Sequence, residues 1–311
     1  MITLTLAAAI AAHAMTPQEV EIAGPEGALA GTLIDPAPDA PAILFIAGSG
    51  PTDRNGDSMM GVKGGAIRQL AEALGDAGMA TLRTDKRGLA GSKAAIANPN
   101  AVVFEDYVAD TRGWISMLTE RGKACVWLAG HSEGSTIALL TAQTPADICG
   151  LILIAGAGRP ILDVMRDQFA PRLPPNMLAQ VDTAFAKLKA GETVDPATVP
   201  APLAPMFSAD LQRFMISGYT LDPATLLGGI DLPVLIIQPG EDLQVKVSEG
   251  EALKAAESDA TYVLLDGVNH VLKPVPAGDV AANMASYGDA ELAIDPRVAE
   301  AIADFINKAG R

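Results

Sequence analysis

The run CVWLAGHSEGSTIALLTAQ, residues 125–143, decides the fold of this 311-residue chain. Its first five residues are a short apolar stretch of the kind that forms a buried strand. Gly130-His131-Ser132-Glu133-Gly134 follows without a spacer, and Thr136–Gln143 then reads as helix. A strand that turns so sharply into a helix needs small residues on both sides, so that the backbone closes without a Cβ clash. The turn lifts the Ser132 hydroxyl clear of the sheet and brings a helix N-terminus beside it. Ordinary turn chemistry does not call for glycine on both flanks of a serine, so Ser132 reads as a nucleophile.

Working outward, similar apolar runs recur at Ala42–Ala47, Met79–Arg83, Leu151–Ala155 and Val234–Gln238, with a further one at Tyr262–Leu265. Near-continuous hydrophobicity, rather than alternation, is what strands covered on both faces require. Helical periods lie between them: Ile67, Leu70 and Leu74 share a face, as do Phe104, Val108, Ile115 and Leu118, and Val298, Ile302 and Phe305. Strand–helix alternation predicts an α/β fold with a mainly parallel, doubly wound sheet. Residues 18–34, with turn signals at Gly24-Pro25 and Glu26-Gly27, predict an antiparallel hairpin opening it. Residues 159–229 break the rhythm with nine prolines, four methionines and a helical stretch at Met177–Lys189. They read as a helical cap inserted over the sheet, without a core of its own, leaving 15–158 and 230–311 as the sheet-bearing core.

A serine hydroxyl needs a base, and the chain has three histidines. His13 lies in the N-terminal segment, and His131 reads as a packed residue because adjacent side chains at a tight turn point apart. His270, in Gly267-Val268-Asn269-His270 after the last strand run, opens on the edge that carries Ser132. The acid that orients it should follow the preceding strand. Asp242 stands four residues after Gln238, with Glu241 and Asp266 as rivals, and the order Ser132, Asp242, His270 fits a nucleophile–acid–base triad. An oxyanion site needs two backbone N–H groups. Glu133 supplies one, and the loop Ala47-Gly48-Ser49-Gly50-Pro51 the other, with Ser49 at the donor position and Gly50 as the alternative.

Composition narrows the partners. Charged residues make up 19% of the chain and hydrophobic ones 49%, which describes a folded protein rather than a disordered one. A net charge of −15 repels phosphate backbones and anionic lipid heads, which argues against nucleic acid. Leu4–Ala12 is too short to span a bilayer as a helix. With the small-x-small pattern Ala12-His13-Ala14, residues 1–14 read as a signal peptide and the chain as exported, although no Lys or Arg precedes the apolar stretch. The alternative is a cytoplasmic protein starting at Met15. Cys125 and Cys149 lack metal-site spacing and read as buried thiols, with a disulfide conceivable on export.

Taken together, Gly48 to Gly56, Asp85-Lys86-Arg87-Gly88, Gly130 to Gly134, Gln238 to Val245 and Asn269-His270-Val271-Leu272-Lys273 resemble bacterial α/β-hydrolases of the EstD-like esterase or serine-aminopeptidase-like group. The likeness extends to Ala282-Asn283 and Tyr287. It implies an α/β-hydrolase fold with an inserted helical cap, carboxylesterase activity on a small-molecule ester, and Ser132, Asp242 and His270 at the triad positions. That chemistry calls for neither a cofactor nor a metal. Asp53, Arg54, Asp85 and Arg87 are expected to brace neighbouring loops through ion pairs. Phe169, Met206, Phe207, Phe214 and Met215 are expected to line an apolar pocket under the cap. Other readings are a thioesterase or lysophospholipase on the same fold, a non-catalytic binding protein, or a peptidase. The peptidase would hold a substrate ammonium on cap acids such as Asp163, Asp167 and Asp210.

Overall fold

Strand residues here alternate between two apolar layers, and this is why their hydrophobicity is continuous. The computed structural model describes residues 16–310, so the expected signal segment lies outside the described residues. Eight strands, β1 (Gln18–Ala23), β2 (Ala28–Ile34), β3 (Ala42–Ile46), β4 (Ala80–Thr84), β5 (Val126–His131), β6 (Ile148–Ile154), β7 (Val234–Pro239) and β8 (Thr261–Leu265), form one sheet in the order β1-β2-β4-β3-β5-β6-β7-β8. The β1–β2 hairpin and the β2–β4 pair are antiparallel, and all other pairs are parallel. The helices are α1 (Ala66–Asp76), α2 (Phe104–Glu120), α3 (Glu133–Ala142), α4 (Ile161–Phe169), α5 (Pro175–Lys189), α6 (Ala209–Phe214), α7 (Pro223–Leu227), α8 (Val247–Ala256), α9 (Val280–Ser286) and α10 (Pro296–Ala309).

Leu44, Leu128, Leu151, Leu153 and Ile236 pack with residues of α2, α3 and α8 on one face. Ile43, Phe45, Trp127, Ile152 and Ile237 pack with α1 and α10 on the other. At about 1.5–3 kcal/mol per buried aliphatic side chain, these two layers are the main favourable contribution to folding. Because β3, β5, β6, β7 and β8 run parallel, the loops after them open on one edge, and the loops after β3, β5, β7 and β8 carry the candidate residues.

Helices α4 to α7 lie between β6 and β7. This segment does have its own apolar cluster, contrary to the sequence expectation: Leu162, Val181, Phe185, Leu188, Val199 and Phe207 are all buried together. Phe207 stacks on Phe185 at 6.2 Å and Phe169 packs on Phe185 at 6.4 Å. The prolines bend the chain back on itself here, so short apolar pieces far apart in sequence still meet. Of the two readings of the cysteines, free thiols or a disulfide, the structure has the second: Cys125 and Cys149 are joined, with their Cα atoms 5.3 Å apart. Val126 faces Ile148 and Trp127 faces Gly150 across β5–β6, so Cys149 is the additional residue in a ladder irregularity, beside the residue that precedes β5.

Candidate active site

Ser132 sits between β5 and α3 with φ 55° and ψ −121°, a backbone conformation that non-glycine residues rarely hold. Its N–H donates to the Ile154 carbonyl at 2.8 Å. The flanking glycines are required by close approach: a Cβ on Gly130 would run into the Gly134 backbone, and one on Gly134 into the Ile46 carbonyl oxygen. The turn therefore presses directly against the end of β3, the strand that leads into Gly48-Ser49-Gly50.

His270 follows β8 and is buried. Its Nδ1 donates to Asp242 Oδ2 at 2.6 Å, which leaves Nε2 of the neutral ring as a base. The other carboxylate oxygen, Asp242 Oδ1, accepts from the backbone N–H groups of Gln244 at 2.7 Å and Val245 at 2.8 Å. Of the rivals, Glu241 is engaged elsewhere, its Oε2 accepting from the Gly278 N–H, and the Nδ1 of His270 pairs with neither rival but with Asp242. The loops that carry Asp242 and His270 are both tied to the α9 region. Asn283 donates to the Glu241 carbonyl, Gln244 donates to the Tyr287 hydroxyl, and Asn269 donates to Ser286 Oγ. Lys273 donates its ammonium to the carbonyls of Lys63, Ser286 and Asp289, and burial pushes its pKa down. Burial also pushes the Tyr287 hydroxyl up to about 12, so it stays protonated beside Gln244.

His131 is more than a packed residue. Its Nε2 lies 2.8 Å from the His270 carbonyl, which can only accept, so that nitrogen carries the proton. The two rings are 4.9 Å apart. Burial, with the neighbouring His270 adding to it, pushes His131 down to about 4. Its ring reaches the backbone of His270. Nothing local in the sequence marks a contact that spans 139 residues.

Two cavities meet at Ser132. One, of about 100 Å³, is lined by His131, His270, Val271, Leu272, Thr52 and Ile67. The other, of about 660 Å³, lies under α4 and α6 and is lined mostly by apolar side chains, among them Ile161, Val164, Met165, Met206, Phe214 and Met215. Ser49 and Ser132 border both. Of the five residues expected to line the pocket, Met206, Phe214 and Met215 do so. Phe169 and Phe207 belong to the cap cluster instead. The backbone N–H groups of Ser49 and Glu133 have no hydrogen-bond partner among the described residues, and that of Glu133 begins α3, where no intrahelical acceptor exists.

The charged residues on the wall of the larger cavity are Lys86, Arg87 and Glu133. Glu133 is 4% exposed and accepts from Lys86 Nζ at 3.0 Å and from the Tyr219 hydroxyl at 2.6 Å. Burial and the Glu133 charge hold the Tyr219 hydroxyl far above its ordinary value. Lys86 Nζ also donates to the Gly48 carbonyl and lies 5.2 Å above the Tyr107 ring. The expected ion pairs form at Arg54, Asp85 and Arg87, whereas Asp53 accepts from backbone N–H groups instead. Arg54 binds Asp85 and Glu19, Arg87 binds Asp106 and Asp110 of α2, and Asp53 caps its own loop through the Asn55 and Asp57 N–H groups. The three cap acids considered for an ammonium are paired: Asp163 with Lys189, Asp167 with Arg159, and Asp210 with Arg213. Among the described residues no three His, Cys, Asp or Glu side chains are grouped so as to hold a metal ion.

Comparison with known proteins places this geometry. Residues 60–273 match the family Hydrolase_4, described as serine aminopeptidase, S33. Esterase EstD of Thermotoga maritima is 27% identical over 241 residues, a match covering 75% of this chain and 54% of that protein, so the chain spans about half the length of this relative. Among solved structures, Est1E of Butyrivibrio proteoclasticus with bound ferulic acid superposes with a TM-score of 0.62 at 18% identity, covering 93% of this chain and 98% of that one. An esterase of Pyrococcus furiosus superposes with a TM-score of 0.60 at 15% identity, covering 96% and 92%. At such identities the structures share the α/β-hydrolase fold.

Proposed function

This chain belongs to the serine aminopeptidase, S33, family of hydrolases, and from that premise we propose that it is a serine ester hydrolase acting on short- to medium-chain carboxylic esters through an acyl-enzyme. The observation that carries the reading is the His270–Asp242 pair, held on one sheet edge with Ser132 beside an apolar cavity. His270 Nε2 takes the proton of Ser132 Oγ as that oxygen attacks the acyl carbon. The carbonyl electrons move onto oxygen, where the Ser49 and Glu133 N–H groups receive them. Collapse expels the alcohol oxygen, which takes the proton from His270. Water repeats the cycle to release the acid and regenerate Ser132.

Two features favour an ester over a peptide. An aminopeptidase must hold a free ammonium on placed carboxylates, yet Asp163, Asp167 and Asp210 are bound to cations. Glu133, the carboxylate on the cavity wall, already accepts from Lys86 and Tyr219. The leaving oxygen must meet His270, which lines the small cavity and not the large one. The alcohol therefore belongs on the 100 Å³ side and the acyl chain in the 660 Å³ cavity. The test is kcat/KM for matched p-nitrophenyl esters of about two to eight acyl carbons, the range such an apolar pocket takes, and aminoacyl anilides, together with fluorophosphonate labelling of wild type and Ser132→Ala. Esters should be far the faster, and labelling should vanish in the variant. An aminoacyl anilide that outruns the best ester removes the ester reading in favour of the peptidase. Export belongs to the same proposal and is supported by the Cys125–Cys149 disulfide, since such bonds persist in oxidising compartments.

A further inference from the structure

We infer that Lys86 is a positioning residue for the oxyanion hole: one buried ammonium ties together the two backbone segments that supply its donors. The inference rests on the assignment of Ser49 and Glu133 made above. The Gly48 carbonyl and the Ser49 N–H are the two ends of one peptide unit, so the hydrogen bond from Lys86 Nζ to the Gly48 oxygen fixes the plane in which the Ser49 N–H points. It also polarises that unit, because a peptide whose carbonyl accepts a charged donor becomes a stronger donor at its own N–H. The same ammonium pairs with Glu133 Oε1 at 3.0 Å, and Glu133 carries the second donor on its backbone. The Lys86 side chain is 8% exposed and that of Glu133 2%. A salt bridge so placed is screened little by solvent.

The rest of the loop is built to aim this side chain. Asp85 is held by Arg54 and accepts from the Gly91 N–H, and Arg87 is anchored on Asp106 and Asp110 of α2. Residues on both sides of Lys86 are thus fixed to the scaffold, and Lys86 turns to the nucleophile edge, where Tyr107 flanks it. On the far side of Glu133, Tyr219 completes the clamp from a π-helical turn at Met215–Tyr219. Preorganised donors contribute to the transition state without reorganising during reaction. Loosening both should therefore lower kcat and leave substrate binding nearly unchanged.

The test compares wild type with Lys86→Met, Lys86→Arg and Glu133→Gln, measuring kcat and KM on one p-nitrophenyl ester and the inhibition constant of a trifluoromethyl ketone that adds to the serine. Lys86→Met should lose about 10²-fold in kcat, the range for one oxyanion donor, with KM within about 3-fold, and the ketone should weaken by the same factor as kcat/KM. Lys86→Arg, which keeps charged donors, should recover part of both. Glu133→Gln retains Lys86 and both N–H groups and should show a smaller loss of the same kind, which decides the matter if Lys86→Met does not fold. Near-wild-type kcat and ketone affinity in folded variants overturn the inference, as does a loss confined to KM or to thermal stability. Ser132→Ala separates the two levels. If it still hydrolyses the ester, the site assignment itself fails. If it is inactive while Lys86→Met is normal, only the role of Lys86 fails.

Discussion

At the residue scale, the pair His270–Asp242 and the contact His131–His270 have different consequences. Asp242 fixes the proton on Nδ1 and leaves Nε2 free to accept one. Asp242→Asn keeps the shape but can donate to Nδ1, which reverses the tautomer. Turnover should fall on the order of 10⁴-fold, measured as kcat at pH 8 with folding checked by circular dichroism. A variant within tenfold of wild type would move the acid to another residue. His131 should instead contribute to acid sensitivity. Its folded pKa of about 4 lies below the 6.5 of the unfolded chain, so between these values the unfolded state binds more protons. Stability from this group is therefore complete above about pH 6.5 and is lost as the pH falls through that window to 4. Over the 2.5 units the loss reaches about 3 kcal/mol, at 1.36 kcal/mol per unit. Denaturant unfolding at pH 7 and pH 4.5 should show that slope in wild type, and His131→Gln should flatten it. An unchanged slope in the variant assigns the acid sensitivity elsewhere.

At the level of elements, the turn from β5 into α3 is legible because its constraint is local. Gly134→Ala drives a Cβ into the Ile46 and Ala47 carbonyls. It should lower unfolding stability by more than about 2 kcal/mol, the scale of overpacking a well-filled site, or prevent soluble expression. A variant within 0.5 kcal/mol of wild type, the range of neutral surface changes, would mean that the start of α3 is not pressed against the end of β3 there. The strands were readable for the same reason: Leu44 and Phe45, neighbours in sequence, fill opposite faces of one sheet, so no polar residue interrupts the run. The chain order of Ser132, Asp242 and His270 followed from the parallel topology, which places successive loops on one edge. What the sequence hid is tertiary. Lys86 meets Gly48 and Glu133 across 38 and 47 residues, and no spacing rule encodes that. The sequence places Phe207 with the pocket lining because apolar residues of a cap look alike in sequence. Its burial against Phe185 depends on how the intervening prolines fold the chain.

On the scale of the whole molecule, the disulfide joins β5 to β6 at the end of the sheet away from the site, since Cys125 precedes β5 while Ser132 follows it. It closes a loop of 24 residues in the unfolded chain. The loop-entropy relation gives about 3–4 kcal/mol for that length. Spread over a chain of this size, the effect is a fall of about 5 °C in the melting temperature. The double variant Cys125→Ser, Cys149→Ser should therefore melt lower by roughly that amount, while kcat/KM at 25 °C stays within twofold, because neither sulfur touches a residue of the site. A large loss of activity without a change in melting would mean that the bond supports the site directly. The proposed export would place the disulfide in an oxidising compartment, and mass spectrometry of protein from the native host reads both together. A chain beginning at Met15 with the two thiols joined agrees with the exported reading. A full-length chain with free thiols in the cytoplasm contradicts it and assigns the stabilisation of β5 and β6 to packing alone, in which case the serine variants should melt with the native protein.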